Sequence, residues 1–398
     1  MSDASTTHLI PTATPRQLLD RIGPVADGQR TVVIDLRTPK EFAEDHVPGA
    51  LNIPLFRNDE RALIGTLYKR ESPEEAFAKG REVVAERIVQ LFGEIAETVG
   101  WDVPDVDLAS RVLAMTESGI GGLEENLTEA PVAELPERTA IFHCWRGGLR
   151  SKSVVALLRL CGLERAFCIE NGYQGYRRAV LDELEAFTAP KTYVIRGFTG
   201  TGKTLVLREL EKLRPGWTLD LEGLAGHRSS ILGMVGLQPV TQKTFESALA
   251  SRLREIPKDG PMVVEGESRK IGDRIQPASI WQALQAGTNI HLTATKARRI
   301  EVLMEDYLAC RSSTAELREK LPFIEKRLGP VAWKGRLVSM LDTGATKELT
   351  EVLLDAYYDP LYSHSEKNKS YELALNMTDP KKAAIEIADW IEQDQNHE

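Results

Sequence analysis

The stretch "TYVIRGFTGTGKTLVLREL" (192–210) sets the tightest limit on how this 398-residue chain can fold. Its β-branched apolar start reads as a strand and its end as a helix. Between them, Gly197 to Thr204 fits G-x-x-x-x-G-K-[ST], the pattern of a phosphate-binding loop when a strand precedes it and a helix follows. Gly197, Gly200 and Gly202 let backbone N–H groups converge on an anion, and the helix N-terminus adds positive potential. Lys203 is placed to neutralise phosphate oxygens, and Thr204 offers a hydroxyl to Mg²⁺. The pattern indicates a phosphate or diphosphate, not specifically a nucleoside triphosphate.

Further strand patterns follow at 217–223, 261–268 and 289–295, separated by helical ones, so the region is expected to form a parallel α/β sheet. Asp220 and Glu222 end one of these runs, and Glu265 and Glu267 the next. In open α/β sheets ligands bind at the carboxyl ends of strands, which makes these acids candidate Mg²⁺ or proton-handling groups beside the phosphate. The plainer alternative is solvated acids in strand–helix loops. From about 296 the chain reads as mainly helical and charged, closing with "YELALNM" and "DPKKAAIEIADWIEQD".

The first half has its own series. Strand patterns occur in "TVVIDLR" (31–37), "ALNIPL" (50–55), "TAIFHC" (139–144) and "AFCIENG" (166–172). Thr38, Pro39 and Glu41 spell a capped helix start. Residues 57–135 are polar and helical, as in a helical insertion, and "TAPK" (188–191) reads as a linker. Two α/β domains are therefore expected, at 8–188 and 189–398.

Cys144 stands at the end of one strand pattern and just before a helix. Gly147 and Gly148 shape the turn, backbone N–H groups of "WRGGLRS" would cup the thiol, and Arg146 and Arg150 flank it. That setting favours a thiolate nucleophile. Cys161 and Cys168, on an apolar helix end and within a strand, read as packing residues. The four cysteines, Cys310 included, show no C-x-x-C spacing, which argues against a structural zinc site and fits a reducing cytoplasm.

With 42% hydrophobic and 27% charged residues, the chain has the composition of a globular protein and no run long enough to span a membrane. The opening "MSDASTTHLIPTATPRQ" lacks a basic start and an apolar core, so no secretory leader is expected. A net charge of −9 gives no global attraction to nucleic acid, so such a partner needs local basic patches. Candidates are Lys69/Arg70, His227/Arg228, Arg298/Arg299, Lys326/Arg327 and Lys334/Arg336. Tyr357, Tyr358 and Tyr362 offer rings for stacking a base, although solvated helix faces and packing explain such residues equally well.

The stretch "VIDLRTPKEFAEDHVPGALNIP" resembles the opening of a rhodanese domain, with Asp35, Arg37, Glu41, Phe42, His46, Gly49, Ala50, Asn52 and Pro54 in the family's positions. "HCWRGGLRS" then stands at the rhodanese active-site loop, and "ENGYQGYRRAV" resembles the closing helix. Joined to "GFTGTGKT", "GHRSS", "ESRKIG" and "YDPLY", these motifs make the chain similar to the tRNA 2-selenouridine synthases over nearly its whole length. The resemblance implies a rhodanese-like parallel sheet with a helical insertion, followed by a P-loop α/β domain with added helices. It implies replacement of sulfur by selenium at wobble 2-thiouridine of tRNA, with selenophosphate as donor and an S-geranyl intermediate made from geranyl diphosphate. Cys144 would be the essential rhodanese-side residue, and Gly197, Gly200, Gly202, Lys203 and Thr204 the second anion site. No tightly bound cofactor is expected, with Mg²⁺ as an option. The expected partners are tRNA and a selenophosphate-supplying enzyme, not DNA or a membrane.

One spacing keeps rivals open. Arg150 follows Cys144 by six positions, giving H-C-x5-R-S, which is also the signature of cysteine-based phosphatases, a rhodanese-fold group among them. A kinase with a regulatory rhodanese module is a second rival, with "TKARRIEVLMEDY" (295–307) as its lid helix.

Overall fold

The computed structural model describes residues 7–22, 31–308, 311–361 and 369–396; Cys310 and Tyr362 lie outside them. The chain divides into two compact units, Met1–Asp182 and Glu183–Glu398.

The first unit begins with β1 (His8–Ala13), α1 (Pro15–Leu19), β2 (Thr31–Asp35), α2 (Pro39–Glu44) and β3 (Leu51–Asn52). Four helices follow: α3 (Asn58–Arg70), α4 (Pro73–Val99), α5 (Leu108–Met115) and α6 (Gly119–Asn126). The unit is completed by β4 (Leu127–Pro131), β5 (Thr139–His143), α7 (Leu149–Leu160), β6 (Ala166–Ile169) and α8 (Gly172–Ala186). The six strands form a parallel sheet in the order β3-β2-β5-β6-β1-β4. β2 and β5 lie at its heart in a register that sets Asp35 opposite His143. Thr38 caps α2 through the capping box that its sequence announces. Ile34, Phe142 and Val155 pack into one core with Phe92 and Ile95 of α4, so the insertion shares the sheet's apolar interior.

Two strands depart from the sequence reading. Residues 8–13 form β1 although "HLIPTA" carries a proline and little alternation. The stretch 57–135 is helical only as far as Asn126, after which Leu127–Pro131 returns as an edge strand paired with β1. Only Leu127 of β4 is buried, while Thr128, Glu129 and Pro131 are exposed, so the segment had no apolar pattern by which to read it as sheet.

The second unit runs β7 (Thr192–Arg196), α9 (Lys203–Leu213), β8 (Thr218–Leu219), α10 (Leu221–Ala225), α11 (Gln242–Glu255) and β9 (Met262–Glu265). A hairpin of β10 (Lys270–Ile271) and β11 (Arg274–Ile275) comes next, then α12 (Ala278–Ala286) and β12 (Thr288–Thr293). The helical extension contains α13 (Lys296–Leu308), α14 (Arg311–Leu328), α15 (Arg336–Asp342), α16 (Thr346–Val352) and a π-helical turn (Leu353–Tyr358). The unit closes with β13 (Leu373–Asn376) and α17 (Pro380–Asn396). The second sheet is parallel in the order β13-β12-β7-β9-β8, with β7 in the middle. The run at 217–223 is strand for two residues only, because Asp220 caps α10 and carries Glu222 into that helix. "YELALNM" contributes an edge strand instead of further helix.

Candidate functional site

The chain builds two strand–loop–helix sites, one in each unit. In the first, Cys144 follows β5 directly, and the turn Trp145–Gly148 leads into α7. The thiol is 2% exposed, and Sγ lies 3.3 Å from the hydroxyl oxygen of Ser151, one residue past Arg150. Ser151 is a functional candidate that was not singled out in the sequence, although H-C-x5-R-S contains it. Cys161 and Cys168 are buried, and burial pushes both thiols up, so neither competes as a nucleophile.

The turn is held by the helix that follows the next strand. The N–H of Tyr173 donates to the carbonyl of Cys144 at 2.9 Å, and that of Gln174 to Trp145 at 3.1 Å. This needs backbone against backbone: a β-carbon on Gly172 (φ +56°) would stand 2.3 Å from the Gly147 nitrogen, and one on Gly147 (φ +65°) 2.8 Å from that of Gly172. The residues that mark the rhodanese-like opening form the floor. Arg37 donates to both carboxylate oxygens of Asp35 and lies 3.7 Å over the Tyr173 ring, whose hydroxyl donates to Asp45 at 2.5 Å. Burial alone would raise the Asp35 carboxyl, but His143 and Arg37 outweigh it and hold it below its ordinary range. Burial keeps the His143 ring neutral. These groups position the loop and do not line its mouth. Arg146 is exposed; Arg150 is half-buried, with Nη1 sealed from solvent and no hydrogen-bond partner on that atom.

In the second site the loop between β7 and α9 carries Gly197, Gly200 and Gly202 at φ +154°, +80° and +83°, with a carbonyl or side chain close behind each. Lys203 opens α9 and curls over the loop, donating to Gly197 O at 3.0 Å. The hydroxyl of Thr204 donates to Glu265 at 3.1 Å. Glu265 ends β9, the strand beside β7, and also accepts the N–H of Glu222 at 3.1 Å. Carboxylate oxygens of Glu222, Glu265 and Glu267 all lie within 4.8 Å of one another. Burial, with the charges of Asp220 and Glu267, pushes Glu265 up to about 8. Burial and the same crowding raise Glu222, and burial raises Glu267. Asp220 serves as the cap of α10, accepting the Gly223 N–H at 2.7 Å. The three glutamates, with the Thr204 hydroxyl, suit a hard divalent cation, which would relieve their mutual repulsion.

The basic residues divide into engaged and free. Arg299 is buried, donates to Thr199 O at 2.9 Å and forks onto Asp359, so it braces the phosphate loop. Arg228 donates to Val235 O at 2.9 Å and lies over the Tyr307 ring. Arg298 pairs with Glu301. The His227 ring packs against Gly233 and Gly272, where burial and then Arg274 hold it below its ordinary value. Tyr357 and Tyr358 are buried in the π-helical turn, packed with the helical extension. Lys69, Arg70, Lys326, Arg327, Lys334 and Arg336 are exposed. Among the described residues no helix is long and apolar enough to cross a membrane.

Residues 190–398 match the family described as tRNA 2-selenouridine synthase AAA domain, and residues 14–85 match the rhodanese-like domain. The chain is 30% identical to a tRNA 2-selenouridine synthase of Chromohalobacter salexigens, covering 90% of this chain and 94% of that protein. It is likewise 30% identical to the synthase of Pseudomonas syringae pv. tomato, over 85% of this chain and 89% of the relative. For the synthase of Cupriavidus pinatubonensis the identity is 28%, with 91% and 95% covered.

Proposed function

The chain belongs to the tRNA 2-selenouridine synthase family, and from that premise we propose that it is a tRNA-modifying enzyme converting wobble 2-thiouridine to 2-selenouridine. The observation that carries this reading is the pairing of two anion-binding loops on one chain, one ending in a thiol and the other in a lysine.

A thiocarbonyl sulfur is displaced with difficulty because sulfide leaves poorly. Attack of that sulfur on geranyl diphosphate gives a thioether and releases pyrophosphate, turning the sulfur into a better leaving group. The loop at 197–204 is suited to that release: its N–H groups and Lys203 face the charge that develops on the departing diphosphate. Mg²⁺ held by Glu222, Glu265 or Glu267 would supply further compensation for that charge. The Cys144 loop, with α7 behind it and Arg146 and Arg150 beside it, suits the tetrahedral group of selenophosphate. Cys144 stands where the selenium of that donor is to be handled, and the hydroxyl of Ser151 is placed to donate to the thiolate. Both substrates and the tRNA place the reaction in the cytoplasm. The exposed basic pairs are the proposed tRNA contacts, with the engaged arginines shaping the phosphate site.

The test incubates the protein with 2-thiouridine tRNA, geranyl diphosphate and selenophosphate, omitting each in turn, and reads nucleosides by mass spectrometry. Geranylated uridine without selenophosphate, and selenouridine with it, are the expected products; neither under any condition removes the reading. The six-residue step from Cys144 to Arg150 supports the phosphatase rival as a second reading, and turnover of aryl phosphates through a phosphocysteine would favour it.

A further inference from the structure

Arg61 lies at the start of α3, in the insertion and far in sequence from the Cys144 loop. Its guanidinium folds back along its own helix, with Nη1 3.0 Å from where a β-carbon on Gly65 would stand. The side chain is half-buried, and no hydrogen bond or ion pair joins it to another described residue. Arg150, in the first turn of α7, is also half-buried and without an ion pair among the described residues, and its Nη1 is sealed from water. The two cations feel each other: burial first, and then the field of Arg150, hold the Arg61 guanidinium below the ordinary arginine range. Glu41 opposes this, but its carboxylate already accepts the Thr38 N–H at the start of α2. The N-terminus of α7 has no side-chain cap, since Gly148 occupies that position. Two unpaired guanidinium groups held together out of water are costly unless an anion joins them.

We propose that Arg61 and Arg150 form a two-armed clamp for a tetrahedral phosphate-type dianion at the Cys144 loop, so that the helical insertion supplies a substrate-binding residue. This rests on the reading of that loop as the selenophosphate site, and it identifies what holds the donor's phosphate group. Arginine suits the task because its planar fork can give two parallel hydrogen bonds to one oxyanion. The clamp leaves the selenium end of the donor free to face Cys144.

The probe is thiophosphate, the sulfur counterpart of the donor, titrated against the full chain. Hydrogen exchange is followed in peptides spanning 144–151 and, separately, 197–204, so the two anion sites report independently. In the unsubstituted protein thiophosphate is expected to slow exchange in 144–151. Arg61→Ala is expected to raise the half-saturating concentration there by about tenfold or more, the effect of losing one charged hydrogen-bond partner. Arg61→Lys should fall between, and Arg111→Ala, which removes an exposed arginine of the same insertion, should change nothing. An unaltered 197–204 response certifies that each variant is folded, and Arg61→Gln replaces Arg61→Ala if the latter is not. No slowing at 144–151, or the same half-saturating concentration in Arg61→Ala, overturns the clamp. So does slowing by an anticodon stem-loop RNA but not by thiophosphate, which would assign the arginines to the RNA backbone. The assay needs no turnover, so an intact clamp in a protein that never selenates tRNA would sink the functional reading alone.

Discussion

The Cys144 loop and the Lys203 loop share a plan and differ in their electrostatics. Each leaves the end of a parallel strand, turns through glycines at positive φ and enters a helix whose N-terminus faces the turn. Around Cys144 the nearby mouth charges are arginines, and the one buried carboxylate, Asp35, is locked by Arg37 beneath the loop. Around Lys203 three glutamates crowd within 4.8 Å, and one is pushed up to about 8. The same local geometry therefore makes one site that takes an anion by itself and one that takes an anion together with a cation. What a strand–loop–helix site binds is decided by side chains from neighbouring strands and helices, not by the loop alone.

The strongest way to break this comparison is to disable one loop at a time. Cys144→Ser should lower selenation by on the order of a thousandfold or more while pyrophosphate release from geranyl diphosphate persists. Lys203→Ala should abolish pyrophosphate release yet leave selenation of pre-geranylated tRNA. Equal loss of both steps in either variant would end the division of labour. Next in size, Gly172→Ala should cost roughly 1–3 kcal/mol, because the new β-carbon meets Gly147 and the backbone is held at positive φ. Denaturant titration of the whole chain together with the two partial reactions would check it: selenation should suffer and geranylation should not.

The acids give a pH signature that the thiol loop lacks. The folded pKa of Glu265 is above its unfolded value, so its proton favours folding below about pH 4.5, and that contribution is lost as pH rises towards about 8. Glu265→Gln should flatten that decline, seen as a smaller fall in Tm between pH 5 and pH 9. By the same sign, Mg²⁺ affinity should rise with pH from 7 to 9 in the unsubstituted protein, because the metal requires the ionised carboxylates. Calorimetry in two buffers would count the protons released. The smallest effect is expected for Ser151→Ala, about tenfold or less on selenation, through loss of one hydrogen bond to the sulfur.

Both sites were legible from local signals. The phosphate loop and the Cys144 turn each need glycines and one reactive residue within eight positions, so contiguous sequence carries them. Features made by distant chain segments were not legible. Nothing in "ERALIG" tells that Arg61 meets Arg150, and nothing in "EGLAG" tells that Glu222 closes a cluster with Glu265 and Glu267. Basic pairs misled in the opposite direction: Arg299 reads as surface charge, yet Asp359, sixty residues away, draws it in to brace the loop. Strands failed where amphipathic alternation was weak, as in β1 and β4, whose pairing is settled by a partner more than a hundred residues distant.

That pairing makes the insertion something other than a removable cassette. β4 is the outer edge of the first sheet, and its Glu129 and Pro131 are the kind of residues that discourage a second chain from adding on. Excising 57–135 would promote β1 to the boundary and leave its backbone donors and acceptors open to a foreign strand. A shortened protein that keeps Leu127–Pro131 should stay monodisperse where one lacking it self-associates, so any minimal version of this enzyme must be cut inside the helices and not at their ends.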